Sequence, residues 1–368
     1  MKSAVVVFLA LFVFGMVARG DAAEPDGQAE ALWRAAAREQ ADLETRQPLF
    51  QDPKLTTYLD GVLRRLWSLT STELPQMQLR VVKNNRSQAF TYPNGRCYLT
   101  TGLLVSLRSE DQLAMILAHE MTHYLDQHTL RAWNHLRPDD ATSDPPAGSF
   151  APSRDAPRSS MAFDLEMELE ADAGGLKLMR GAGYCPDQVI PLLQTAVTFA
   201  EASTDSAIRM AHARAQAARK LIAHGNTPDA CKGEDEWSGR QTAYDRGIAT
   251  ALLADSRLAV QQGLWDRARE NLARYRNVSE ADAEILFLTG ELLRRNDDHS
   301  GQMAALSAYQ GAIELDHTFA PAYRALGMVN FKLGRKERAK RYFENFLALI
   351  PNSPDNFFIR DYLHQCSN

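Results

Sequence analysis

The sequence predicts a mainly helical α+β chain in two parts, a helical domain holding a small sheet and then a repetitive helical domain. Three observations carry this. Apolar residues recur at helical spacing along most of the chain. The period shortens to that of strands only between Gln78 and Leu99. Beyond residue 240, small residues return at matched spacings in successive segments. A length of 368 residues suits two domains of roughly 100–200 residues each. With 45% apolar and 24% charged residues, the composition is that of a globular protein. The net charge of -5 argues against the basic surface of a nucleic-acid binder.

Lys2 precedes an apolar run from Ala4 to Val17, followed by the small residues Ala18 and Gly20. The run is shorter than the ~20 residues of a spanning helix. Residues 1–20 therefore read as a secretory signal peptide, with no transmembrane span expected in the mature chain. A helix is expected from Gln28 to Glu44 and another near Leu55–Leu69, where Leu55, Leu59, Val62, Leu63 and Leu66 form an apolar stripe. Gln78–Val82 reads as a strand. Ala89, Phe90, Thr91 and Tyr92, then Arg96–Leu99, flank the turn signal Pro93-Asn94-Gly95. Ser109 can cap the next helix, with Gln112 completing a capping box. Its apolar positions are Leu113, Ile116, Leu117, Met121, Tyr124 and Leu125.

From Pro138 to Ser160 the chain is rich in Pro, Ser and Asp, and reads as a mobile loop. Helix resumes near Ala162, passes Glu168, Asp172 and Leu178, and stops at Gly181-Ala182-Gly183. Helical stretches follow near Pro186–Ala202 and Ala207–His224. Asn226-Thr227-Pro228 and Lys232-Gly233 mark a boundary, dividing a domain at 27–230 from helical repeats at 240–355. Of the four cysteines, none forms a C-x-x-C pair, so none is a good metal ligand. Export permits disulfides. Cys185–Cys231 is the first choice, and four free thiols are the alternative.

In the last third, Gly263 and Ala268 are spaced like Gly334 and Ala339, and Leu272 and Phe343 each lie four residues beyond the Ala. Small residues at matched places let paired helices approach closely. With Tyr323, Leu326, Gly327 and Pro351, the final unit resembles the tetratricopeptide repeat. A middle unit fits on Gly290, Ala305, Tyr309 and Ala312 if Asp297–Gly301 lengthens its turn.

His119 and His123 stand at i and i+4 on one expected helix, which puts both rings on one face. Two imidazoles so placed can bind zinc. Glu120 between them can take the proton of an attacking water and deliver it to a leaving amine. This is the H-E-x-x-H pattern of zinc peptidases. A third protein ligand is needed to leave one open position. Glu166, Glu168 and Glu170 are all candidates by spacing. Glu168 and Asp172 share a helix face, so one can ligate while the other holds a ligand imidazole. Gly174 and Gly175 would let this helix pack tightly on the histidine-bearing one. His128 reads as structural.

Three stretches resemble family forty-eight of the metallopeptidases, the HtpX and CAAX-prenyl-protease type, a gluzincin-type fold. They are Ala89-Phe90 through Pro93-Asn94-Gly95 to Thr101-Gly102-Leu103-Leu104; Ser109-Glu110-Asp111-Gln112-Leu113 into Ala118-His119-Glu120-Met121-Thr122-His123; and Glu168-Leu169-Glu170-Ala171-Asp172. The repeats add a weaker resemblance to its soluble exported branch, the BepA type. The resemblance implies one zinc ion held by His119, His123 and Glu168, catalysis by Glu120, and support from Asp172. It also implies a periplasmic location in a Gram-negative bacterium and misfolded or unassembled envelope proteins as substrates. An assembly partner would bind through the repeats. Two departures stand out. Ala173 follows the motif's Asp, where a basic residue is common. His212, the candidate fourth ligand or electrophile, is followed by Ala213 rather than Pro. The strand Ala89–Tyr92 is the candidate edge for an extended substrate. Rival readings are a repeat-based adaptor or chaperone with little proteolysis, and a zinc hydrolase of non-peptide amides.

Overall fold

The computed structural model describes residues 27–136, 164–201, 205–225, 231, 236–295 and 299–367. The expected signal peptide and the Pro138–Ser160 loop lie outside them. The first part contains helices α1 (Gly27–Arg46), α2 (Pro53–Trp67), α3 (Thr101–Ser106), α4 (Glu110–Leu125), α5 (His128–Leu136), α6 (Leu165–Gly181), α7 (Val189–Glu201) and α8 (Asp205–His224). Strands β1 (Gln78–Val82), β2 (Ala89–Thr91) and β3 (Arg96–Thr100) lie between α2 and α3. Then follow α9 (Glu236–Gly247), α10 (Ala249–Gln261), α11 (Trp265–Arg276), α12 (Ala283–Arg294), α13 (His299–Leu315), α14 (Ala320–Lys332), α15 (Lys336–Leu349) and α16 (Asn356–Ser367). No helix among the described residues is long and apolar enough to cross a membrane.

The helix starts obey local chemistry. Asp52 and Asp164 accept hydrogen bonds from the third residue of α2 and α6. Ser109 Oγ accepts from Gln112 N at 3.2 Å, as expected of the cap. The reciprocal half of the capping box is absent. Gln112 Oε1 instead accepts from Arg108 N, and its amide donates to the Gln188 carbonyl across the core. The stop of α6 falls at Gly181, and Gly183 takes the left-handed φ of +82° that favours glycine. Two helices were not expected from the sequence, α3 and α5.

β3 is the central strand, with β1 parallel on one side and β2 antiparallel on the other. The turn between β2 and β3 needs Gly95, whose φ is +79° and where a Cβ would press on the Tyr124 ring. Tyr92 lies just past β2 and is buried. Tyr92 N bonds to Arg96 O, and Thr100 N to Gln88 O. Alternation along an antiparallel ladder then turns the main-chain groups of Ala89 and Thr91 towards the outer edge.

One apolar core runs from Leu55 in α2 through α4 and α6 to Tyr244, Ile248, Leu252, Leu272 and Leu288. The expected boundary near 226–233 is thus followed by helices that share the first domain's core. Cys185 and Cys231 form a disulfide with Cα atoms 5.5 Å apart, as first chosen from the sequence. Cys97 and Cys366 are buried free thiols. Consecutive helices pair as α10–α11, α12–α13 and α14–α15, and α16 packs on α15. Gly290 faces the Tyr309 ring and Gly327 the Phe343 ring too closely for a Cβ, so the small residues serve helix approach. Of the expected turn insertion at 297–301, His299 to Gly301 form the first turn of α13; the rest lies outside the described residues.

The short helix α3 ends in carbonyls that cannot find intrahelical partners. The C-terminal helices supply them. Tyr244 Oη donates to Leu104 O at 2.6 Å. Arg274, held by Asp245, donates to the carbonyls of Val105 and Leu107. Arg267, paired with Asp255, reaches Gly102 O. Replacing Arg274 by Met would leave Asp245 and two carbonyls buried without a donor. The variant is expected to lose about 3 kcal/mol of stability, read as a lower urea midpoint. A midpoint equal to wild type would mean that these bonds do not tie the two parts together.

Candidate metal centre

The site forms where α4 and α6 cross. A Cβ on Gly174 would sit 2.6 Å from the Thr122 side chain, and one on Gly175 would sit 3.1 Å from His119 N. The two glycines anticipated for close packing therefore are at the crossing. This approach brings Glu168 of α6 to the histidines of α4. His119 Nε2 and His123 Nε2 face each other at 3.0 Å. Glu168 Oε2 lies 3.7 Å from His119 Nε2, and Oε1 lies 3.9 Å from His123 Nε2. Four-coordinate zinc at about 2.0–2.1 Å from its ligands sets neighbouring donors about 3.3 Å apart. The observed spacings bracket that value, so one divalent ion of this size fits. Among the described residues, these three form the group able to hold a metal.

Each imidazole is held from behind. His119 Nδ1 lies 3.1 Å from Asp172 Oδ1. His123 Nδ1 lies 2.8 Å from His128 Nδ1, and His128 Nε2 lies 2.9 Å from Glu170 Oε2. Arg131 closes this series by donating to Glu170 at 2.7 Å. The series depends on Gln127, whose φ of +51° turns the chain between α4 and α5 so that His128 folds back on His123. Arg214 of α8 donates to both oxygens of Asp172 at 2.8 Å and pairs with Glu168.

These contacts set the charges. Burial, with His119 and His128 beside it, holds His123 neutral, the form a metal ligand needs. Burial also pushes down His128. At His119, burial opposes the charge, but the Asp172 and Glu168 carboxylates prevail and raise its pKa. Burial raises Asp172 too, yet the bonds from Arg214 and His119 outweigh it and bring the carboxyl down to about 2. Burial lifts Glu120 above the ordinary carboxylate range, against the His119 charge and a hydrogen bond from Thr91 Oγ1 at 2.9 Å.

Residues 53–136 match the model of peptidase family M48. Over that segment the chain is similar to the family. It is 28% identical over 176 residues to the beta-barrel assembly-enhancing protease of Escherichia coli (strain K12), covering 44% of this chain and 35% of that one. The protein of the same name from Yersinia pestis is 27% identical over 165 residues, or 40% and 34% of the two chains. The mitochondrial metalloendopeptidase OMA1 of Schizosaccharomyces pombe is 29% identical over 138 residues, or 36% and 41%. The chain thus spans about a third of the length of the assembly-enhancing proteases it matches.

The expected site residues His119, His123, Glu168 and Asp172 come together, and Glu120 lies beside them on α4. Glu166 is exposed and Glu170 serves His128, so the open choice among the three glutamates falls on Glu168. His212 needs correction. It is exposed and lines a groove with Gln194, Arg219 and His224, while Arg214, two residues on, is the α8 residue that enters the site. His128, read as structural, stands directly behind the candidate ligand His123. His128, Glu170, Arg131 and Arg214 had no spacing signal, because three separate helices, α5, α6 and α8, bring them together.

Two outcomes are expected. Replacing His128 by Phe keeps the volume but removes the bond to His123, and zinc affinity should fall about tenfold or more in a chelator competition; unchanged affinity would show that His128 only fills space. For Asp172, the folded pKa lies below the unfolded 3.8. Its stabilisation is therefore complete above that value and is lost as pH falls through about 2. In metal-free protein, wild-type stability should drop more steeply than that of Asp172→Asn between about pH 4 and about pH 2, by about 2 kcal/mol. Parallel urea-midpoint curves would contradict it.

Proposed function

We propose that the chain is a periplasmic zinc-dependent metalloendopeptidase that hydrolyses peptide bonds of misfolded or unassembled envelope proteins. Residues 27–230 form its catalytic domain. Residues 240–355 are tetratricopeptide-like repeats that bind a client or an assembly partner. The observation that carries the reading is the convergence of His119, His123 and Glu168 donors within 4.8 Å of one another, next to the Glu120 carboxyl. The names of the bacterial relatives support the substrate class.

Zinc, when bound, supplies Lewis acidity that polarises a carbonyl and acidifies water. The chain's own residues do the rest. Glu120 takes a proton from the attacking water and passes it to the leaving amine. Its raised pKa keeps proton transfer in both directions accessible. Asp172 and His128 hold the two ligand rings, and Arg214 steers Glu168. An extended substrate adds to the outer edge of β2 through the main chain of Ala89 and Thr91.

The test is cleavage of casein and of an unfolded outer-membrane protein by the zinc-loaded chain, beside Glu120→Gln. The variant is expected to bind zinc like wild type and to lose cleavage by a factor of at least about 100. If wild type cleaves neither protein while Glu120→Gln still supports envelope assembly in cells, the adaptor reading replaces this one. Hydrolysis of small amides but not of proteins would favour the non-peptide hydrolase.

A further inference from the structure

We propose that Thr91 is a positioning residue that links substrate pairing on β2 to the orientation of Glu120. This rests on the peptidase reading above and adds a residue that the H-E-x-x-H pattern does not contain.

Thr91 has two sides. Its main-chain groups face the outer edge of β2, because Phe90, not Thr91, lies in the hydrogen-bonded register with β3. Its side chain turns the other way. Thr91 Oγ1 donates to Glu120 Oε2 at 2.9 Å. The same residue thus touches the edge where a peptide adds and the carboxylate that moves the proton. Glu120 needs such a hold. Its carboxylate can rotate, and the nearby Arg214 and Glu168 charges act on its ionisation in opposite senses without fixing its orientation.

The hydroxyl is itself framed. Cys97 stands directly across the ladder from Thr91 and is fully buried. Burial, with the Glu120 charge nearby, keeps Cys97 a neutral thiol. A neutral thiol is a weak donor. A β-branched side chain also has few rotamers. Fixing the Thr91 main chain by pairing it with a substrate strand therefore fixes the aim of its hydroxyl. Binding energy gained along the edge is then expressed in the chemical step rather than in binding alone.

The experiment compares wild type, Thr91→Val, Thr91→Ser and Glu120→Gln, all zinc-loaded, on a short peptide and on a longer one that spans β2. Thr91→Val keeps shape and strand preference but has no hydroxyl. It is expected to lower kcat about tenfold on the long peptide, with KM and zinc content unchanged. Thr91→Ser should restore most of kcat. In wild type, kcat should rise severalfold from the short to the long peptide, and in Thr91→Val that gain should vanish. A Thr91→Val enzyme with wild-type kcat, with raised KM alone, or with lost zinc overturns the role, as does failure of Ser to rescue. Full activity of Glu120→Gln would instead overturn the peptidase reading beneath it.

Discussion

The close crossing of α4 and α6 is the constraint on which the rest of the molecule depends. A close approach shortens the reach that donors on two helices need to converge on one small volume. Here Gly174 and Gly175 leave room for the Thr122 side chain and the His119 backbone. The penalty of gathering Glu120, Glu168 and Asp172 in one partly buried region is offset by Arg214 and by the imidazoles. A single cation would complete that balance, because two imidazoles and one carboxylate suit a divalent ion with one position left open.

Support for this crossing comes from far along the chain. His128 steadies His123 only because Gln127 bends the backbone between α4 and α5. β2 reaches the site through Thr91, and its neighbour β3 runs straight into α3. The carbonyls of α3 are in turn satisfied by Tyr244, Arg267 and Arg274 from the C-terminal helices. Strain or binding in those helices therefore has a short physical route to the strand that touches the base. The shared apolar core makes the same point, since Leu272 and Leu288 belong to it with Leu117 and Met121.

The sequence made the periodic elements legible. The helix stripes, the Pro93-Asn94-Gly95 turn and the stop at Gly183 are local physics, and they appear where their residues require them. The candidate metal ligands on α4 were legible because i, i+4 spacing is itself geometry. Glu168 was not separable from Glu166 and Glu170 by spacing, since all lie on one acidic helix. Only the crossing angle with α4 decides which faces the histidines. His212 was a candidate only through the resemblance; it is exposed on α8, and Arg214, two residues on, is the residue that reaches Glu168. The parallel pairing of β1 with β3 and the short helix α3 depend on long-range contacts that no local pattern reports.

The most direct measurement is metal content of the purified chain after remetallation, joined to X-ray absorption at the zinc edge. One zinc per chain is expected, with two imidazole nitrogens and a carboxylate oxygen in its shell, and loss of the oxygen scatterer or of the metal in Glu168→Ala. Absence of stoichiometric metal, or a shell that Glu168→Ala leaves unaltered, would contradict it.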